Sequence, residues 1–308
     1  MGRSHILRIS LLAGVAFITS LCHAQQRANE SDWWMTPQRM LQTNLREIDA
    51  TMDIDQYVRE VEEFGANTVL FNVGGIVANY PTELDFHWRN PFMEGDLVGR
   101  ALEKLHDAGI RMVGRFDFSK INEKFAATHP EWLYVSERGE HVNYNGQVHT
   151  CLMGGYQQQY MYRILEEATT RYPLDGVFFN MIGYQVRDYS HNYHGICQSD
   201  ACTARFKQWS GGLALPTKQD NNDPVYRKYN QFKSETSNEL FTKIHDLIKK
   251  YGNQIAISTY THAGTDFYRR ESNSHAALYD NFVPWEYQSA HNVKSAIGSW
   301  KDKQVSNA

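Results

Sequence analysis

From residue 38 onward the chain repeats one phrase: a short apolar run, a polar loop, then a stretch whose apolar residues recur every three or four positions. Runs of the first kind lie near residues 39–46, 68–73, 111–116, 176–180, 254–259 and 281–286. The run from Gly176 to Phe179 lacks polar alternation, as expected of a parallel strand covered on both faces. Such strands alternating with amphipathic helices predict a parallel sheet assembled from βα units.

The helical stretches carry their own punctuation. Residues 55–64 begin with an acidic turn and stop at Gly65, and residues 96–108 do the same and stop at Gly109. Residues 156–172 form a third helix ended by Pro173, and residues 224–251 a long one ended by Gly252, while 210–223, rich in Gly, Asn and Asp, is a loop. No Gly-rich dinucleotide turn follows the first strand, and several strand ends carry polar clusters, so a (β/α)8 TIM-type barrel is expected rather than a doubly wound sheet. Too little sequence follows the sixth strand for two more units. The expected fold is therefore a barrel cut short after about six βα units, one C-terminally incomplete domain over residues 25–308.

The first residues read as a signal peptide, 1–24. Arg3 and Arg8 precede an apolar stretch, and Cys22-His23-Ala24 offers small residues at the positions a signal peptidase inspects. A secreted or periplasmic location follows as an expectation, with no membrane association after cleavage. Leu21 stands where a lipidation site wants a small residue. The formal net charge of −4 argues against a nucleic-acid partner, which needs clustered Lys and Arg. Cleavage leaves Cys151, Cys197 and Cys202, an odd set and not a disulfide framework. Cys197 and Cys202 could close a short loop; a zinc site with His191 and His194 would be crowded, and no metal is assigned.

Function is sought at the carboxyl ends of the strands, where parallel α/β folds build their sites. Those ends offer Arg46 and Glu47, then Asn72, then Arg115, Asp117 and Lys120, then Asn180, and last Trp285 and Glu286. Carboxylates beside amides and aromatic rings suit a saccharide: acid/base groups for the bond, amides for hydroxyls, ring faces for the sugar. Aromatics make up 13% of the chain, which fits either exposed stacking rings or a large ordinary core. Glycoside hydrolysis needs two carboxyl groups flanking one bond. Asp117, near Arg115 and Lys120, and Glu286, beside the desolvating ring of Trp285, are the expected catalytic pair, although Asp117 could equally serve a structural ion pair. Glu271, a weaker carboxylate candidate, could equally be a solvated loop residue. Asn180 cannot act as an anionic nucleophile; its amide can orient a hydroxyl or water. Arg46, Glu47, Asn72, Arg115, Lys120, His149, Asn180, Tyr184, Asp188 and Trp285 are the expected substrate-binding residues, and no cofactor is called for.

The stretches "NLREIDA", "NVGGIVANYPT", "GRFDFSK", "HPEWLY", "DGVFFNMIGYQ" with "YHGIC", and "RRESNS" with "PWEYQ" resemble a family of bacterial glycosyl-hydrolase-like proteins related to α-L-fucosidase and β-galactosidase barrels. The likeness runs from about Trp34 to Ser289. It implies a catalytic (β/α)8 barrel, followed in longer members by a β-galactosidase-like trimerisation domain. In fucosidase-like barrels the fourth strand ends in an aspartate nucleophile, where this chain has Asn180, so that role does not carry over. The family's CxCxxC cluster appears here as Cys197-Gln198-Ser199-Asp200-Ala201-Cys202, without its middle cysteine. The expectation is a glycoside hydrolase acting on an O-glycosidic bond in an oligo- or polysaccharide, with a non-catalytic carbohydrate-binding barrel as the alternative; homo-oligomerisation is left open.

Overall fold

The computed structural model describes residues 33–35, 38–252 and 254–259. Its frame is a five-stranded parallel sheet of β1 (Met40–Gln42), β2 (Thr68–Gly75), β3 (Arg111–Asp117), β7 (Gly176–Asn180) and β8 (Ala256–Thr259), in that spatial order. Every crossover advances in the same direction. A sheet wound one way places its helices on one face, and the packing bears this out.

Helices α1 (Ile54–Phe64), α2 (Leu97–Asp107), α4 (Met161–Arg171) and α6 (Pro224–Tyr251) share one apolar cluster with Val69, Phe71, Val73, Met112, Phe116, Val177, Phe179 and Ile257. The alternate strand residues Leu70, Val113, Phe178 and Ala256 face the other way and pack against Trp33 and Trp34. Both faces are thus covered, which is why the strands read as unbroken apolar runs. Each fully buried phenylalanine contributes about 2–3 kcal/mol of transfer free energy.

The helices start and stop where their ends are satisfied. Asp53 accepts from Gln56 N (3.0 Å) at the start of α1, Asp96 from Gly99 N (2.8 Å) at α2, and Asp223 from Val225 N (2.8 Å) at α6, with Pro224 following. Gly65, at φ +77°, ends α1 in the left-handed conformation.

Two expected elements are altered, and a small sheet and a helix were not expected. The first strand is only Met40–Gln42, because the chain turns into a 3-10 segment, Glu47–Thr51, with Arg46 clasping Asp49. The helix expected over 156–172 begins as a π-helical turn, Tyr156–Tyr160. An unforeseen antiparallel sheet, ordered β4 (Lys120–Asn122), β6 (Gln147–His149), β5 (Asn143–Tyr144), lies between β3 and α4, with the short α3 (Glu123–Ala126) following β4. Helix α5 (Asp200–Ser210) was also unforeseen: it buries only Cys202 and Phe206, too few apolar positions for a periodic stripe. The signal peptide and the strand expected at 281–286 lie outside the described residues. No helix among the described residues is long and apolar enough to cross a membrane.

Candidate active site

At the carboxyl end of β2 the register with β3 slips: Asn72 pairs with Arg115, then Gly74 with Phe116 and Gly75 with Asp117. The irregularity brings the two backbones very close. Gly75 sits at φ +101°, and a Cβ there would lie 2.1 Å from the Asp117 carbonyl oxygen, so only glycine fits. Its amide donates to His87 Nε2 (3.1 Å), and its carbonyl accepts from the Tyr156 hydroxyl (2.8 Å). The bulge is thereby fixed from both sides. Burial pulls the His87 imidazole down to about 3, so at neutral pH it is the uncharged acceptor this contact requires.

Beside this bulge is a cavity of about 190 Å³ lined by Arg46, Glu47, Asn72, Arg115, Asp117 and Tyr189, among others. Asp117 is buried, 6% exposed. One carboxylate oxygen accepts from Ser119 N (3.0 Å) and Ser119 Oγ (2.5 Å), the other from Asn180 Nδ2 (2.6 Å). Asp117 and Asn180 stand in register on neighbouring strands, which is why two residues 63 apart in sequence meet. The side chain of Asn72 spans the adjacent strands: its amide nitrogen donates to the Thr43 carbonyl (2.7 Å) and its oxygen accepts from Arg115 Nη1 (3.1 Å).

A chain of amides positions Glu47. Asn79 Nδ2 donates to the Asn72 carbonyl (3.2 Å), Asn90 Nδ2 donates to Asn79 Oδ1 (2.8 Å) and to the Glu47 carbonyl (3.0 Å). Glu47, at the start of the 3-10 segment after β1, and Asp117, at the end of β3, are thus two acidic residues lining one cavity. Asn79 and Asn90 are almost wholly buried. Sequence reading had passed over both, although Asn79 lies in the quoted stretch "NVGGIVANYPT".

Other expected residues stand elsewhere. Lys120 is buried behind the floor, donating to Ser119 Oγ (3.1 Å) with its ammonium 4.2 Å from the Tyr189 ring centre; burial lowers its pKa. His149 pairs across the small sheet with Lys120 and is buried outside the cavity lining; desolvation, then the Lys120 charge, bring it down to about 4. Tyr184 packs against Tyr229 and Phe232 with its hydroxyl on Thr236 (2.7 Å), a core position. Asp188 organises its own loop, accepting from Ser190 N, both Asn192 nitrogens and His194 Nε2, and Asn192 in particular holds its carboxyl well below the usual range. Arg46 lies on the cavity rim but is committed to Asp49 at 2.7 Å. Trp285, Glu286 and Glu271 lie outside the described residues.

Tyr189 and Gln147 are cavity residues that sequence reading did not single out. Gln147 comes from the small sheet and Tyr189 from the loop after β7, and the Tyr144 ring meets that of Tyr189 edge-on at 5.5 Å. The strand tips make the floor, and these two excursions make one wall.

A polar cavity at the carboxyl end of a parallel sheet is where α/β folds build their binding sites. Solved structures of similar fold include the α-L-fucosidase isoenzyme 2 of Paenibacillus thiaminolyticus, with 16% identity and a TM-score of 0.60 over 80% of this chain and 35% of that one. The β-galactosidase of the psychrophilic Marinomonas ef1 gives 12% and 0.59 over 81% and 40%. The PgaB (BpsB) glycoside hydrolase domain of Bordetella bronchiseptica gives 12% and 0.57 over 88% and 74%. The chain spans well under half the length of the first two, and at these identities the likeness is one of fold. More narrowly, residues 53–181 match the family model described as hypothetical glycosyl hydrolase 6, which bears out the resemblance read in the sequence. No curated relative matches the chain.

Proposed function

We propose that the chain is the catalytic part of an exported glycoside hydrolase, built on a (β/α)8 barrel, that cleaves an O-glycosidic bond in an oligo- or polysaccharide. The observation that carries the reading is Asp117: a carboxylate on the cavity floor, fixed by Ser119 and Asn180, with further polar groups around it. It acts as one of the two carboxyl groups such a reaction uses. Glu286, the partner expected from the sequence, lies outside the described residues; Glu47, on the same cavity, is the second carboxylate the geometry offers. Asn180 holds Asp117 in orientation and leaves no anion of its own at that strand end.

The test is hydrolysis of a panel of aryl glycosides, galactosides and fucosides included, and of plant and algal oligosaccharides. Asp117→Asn should lower kcat about 10³-fold while leaving saccharide binding in place, as expected for loss of an acid/base or nucleophilic group. Glu47→Gln and Glu286→Gln assign the partner by the same measure.

A second reading, a non-catalytic carbohydrate-binding barrel, has one observation in its favour: both Asp117 oxygens are already engaged by protein donors, as in a structural carboxylate. Saccharide binding without turnover, unchanged in all three variants, would establish it.

A further inference from the structure

The structure gathers the cysteines differently from their sequence spacing. Cys151 leaves the small sheet two residues after β6, Cys197 precedes α5, and Cys202 lies in the first turn of α5. All three are buried, and their sulfurs lie within 4.8 Å of one another. The short loop pairing Cys197 with Cys202 is the obvious guess from spacing, yet Cys151 also meets Cys202, with their Sγ atoms 3.2 Å apart. Ser199 threads the group. Its hydroxyl donates to Cys151 Sγ (3.1 Å), accepts from Cys202 N (3.2 Å) as the cap of α5, and lies 3.4 Å from Cys197 Sγ.

Around the thiols is a second apolar cluster, including Tyr134, Ile196, Phe206, Tyr229 and Phe232, separate from the core under the main sheet. The cluster carries no strand of the main sheet; it binds the small sheet's exit to α5 and α6. A covalent tie between Cys151 and Cys202 would close 51 residues of chain across that junction.

We propose that Cys151 and Cys202 form a disulfide, entered through Cys197, that staples the inserted sheet to helix α5. Cys197 is the most exposed of the three at 5%, and hydrogen bonds from its two neighbours lower its pKa and favour the attacking thiolate. With a disulfide oxidant such as oxidised glutathione, the Cys197 thiolate attacks one glutathione sulfur, breaking that bond and releasing one glutathione thiolate. Cys202 then gives up its proton and displaces the second glutathione from Cys197. Finally Cys151 gives up its proton and attacks Cys202, returning Cys197 to the thiolate. Two protein thiols are oxidised and one glutathione disulfide is reduced to two glutathiones.

The test incubates the purified full chain with oxidised glutathione, blocks free thiols under denaturing conditions, and maps peptides without reduction. A Cys151–Cys202 linked peptide is expected with Cys197 left as a free thiol, as is Cys22 of the expected leader, and a rise in melting temperature of roughly 10 °C that dithiothreitol reverses. Cys197→Ala should yield the same linked peptide at least about 10-fold more slowly. A Cys197–Cys202 product, Cys151, Cys197 and Cys202 all still titratable after oxidation, or one zinc per chain that shields all three would each overturn the proposal. An unchanged rate in Cys197→Ala would remove Cys197 from the route. The peptide map is read on the wild-type chain, so no variant has to fold for the bridge itself to be judged.

Discussion

At the scale of single residues, the contact between Asp117 and Asn180 is the most informative. Asn180 donates to one Asp117 oxygen at 2.6 Å inside a buried site, so replacing the amide by a carboxyl group would put two acids on one hydrogen bond. Like charges that close cannot both ionise, and one must keep its proton. Asn180→Asp is therefore expected to cost about 1–3 kcal/mol at pH 7 and less near pH 4, read from urea midpoints at the two pH values. Both residues were legible because each closes an apolar run at a strand end. Tyr184 and Asp188, equally close to that strand in sequence, were misplaced: spacing alone does not say that one ring would turn into the core and one carboxylate would be consumed by its own loop. Asn79 and Asn90 were invisible for a related reason, since a buried amide in a loop looks like any solvated one until its partners are known.

At the scale of elements, the bulge in β2 sets the site. Gly75→Ala would force a side chain against the Asp117 backbone in a conformation that disfavours Cβ, and is expected to destabilise the fold by at least about 3 kcal/mol. Gly139→Ala, also at positive φ but with open space around its Cβ, should cost only about 1 kcal/mol, and thermal unfolding of the two variants separates steric overlap from backbone strain. The main strands and the four helices packed against them could be read from periodicity and caps. The small sheet could not, because its strands are two or three residues long, too short for alternation to register. One signal was present: Asn145-Gly146, at φ +52° and +83°, is the Asn-Gly pair a tight hairpin prefers, and it joins β5 to β6. Helix α5 likewise showed its ends, Ser199 and Gly211, more clearly than its face.

At the scale of the whole molecule, two buried histidines couple folding to pH. The usual imidazole pKa is 6.5, and burial brings His87 down to about 3 and His149 to about 4. The unfolded chain therefore takes up protons before the folded one does. The stability these groups contribute is intact above pH 6.5 and is lost as pH falls, toward 4 for His149 and toward 3 for His87. Each steepens the decline by up to about 1.4 kcal/mol per pH unit within its window. Denaturant unfolding at pH 7, 6 and 5 should show this slope, and His87→Gln should flatten it; equal stability at all three would refute the assignment.

Asp117 bears finally on the cost of reaching a reactive geometry. A carboxylate free to rotate would give up torsional entropy as it met a sugar, and water around it would have to rearrange. With its oxygens restrained by Ser119 and Asn180, that ordering was completed when the chain folded, so under the proposed function the binding energy of a saccharide need not be diverted to it.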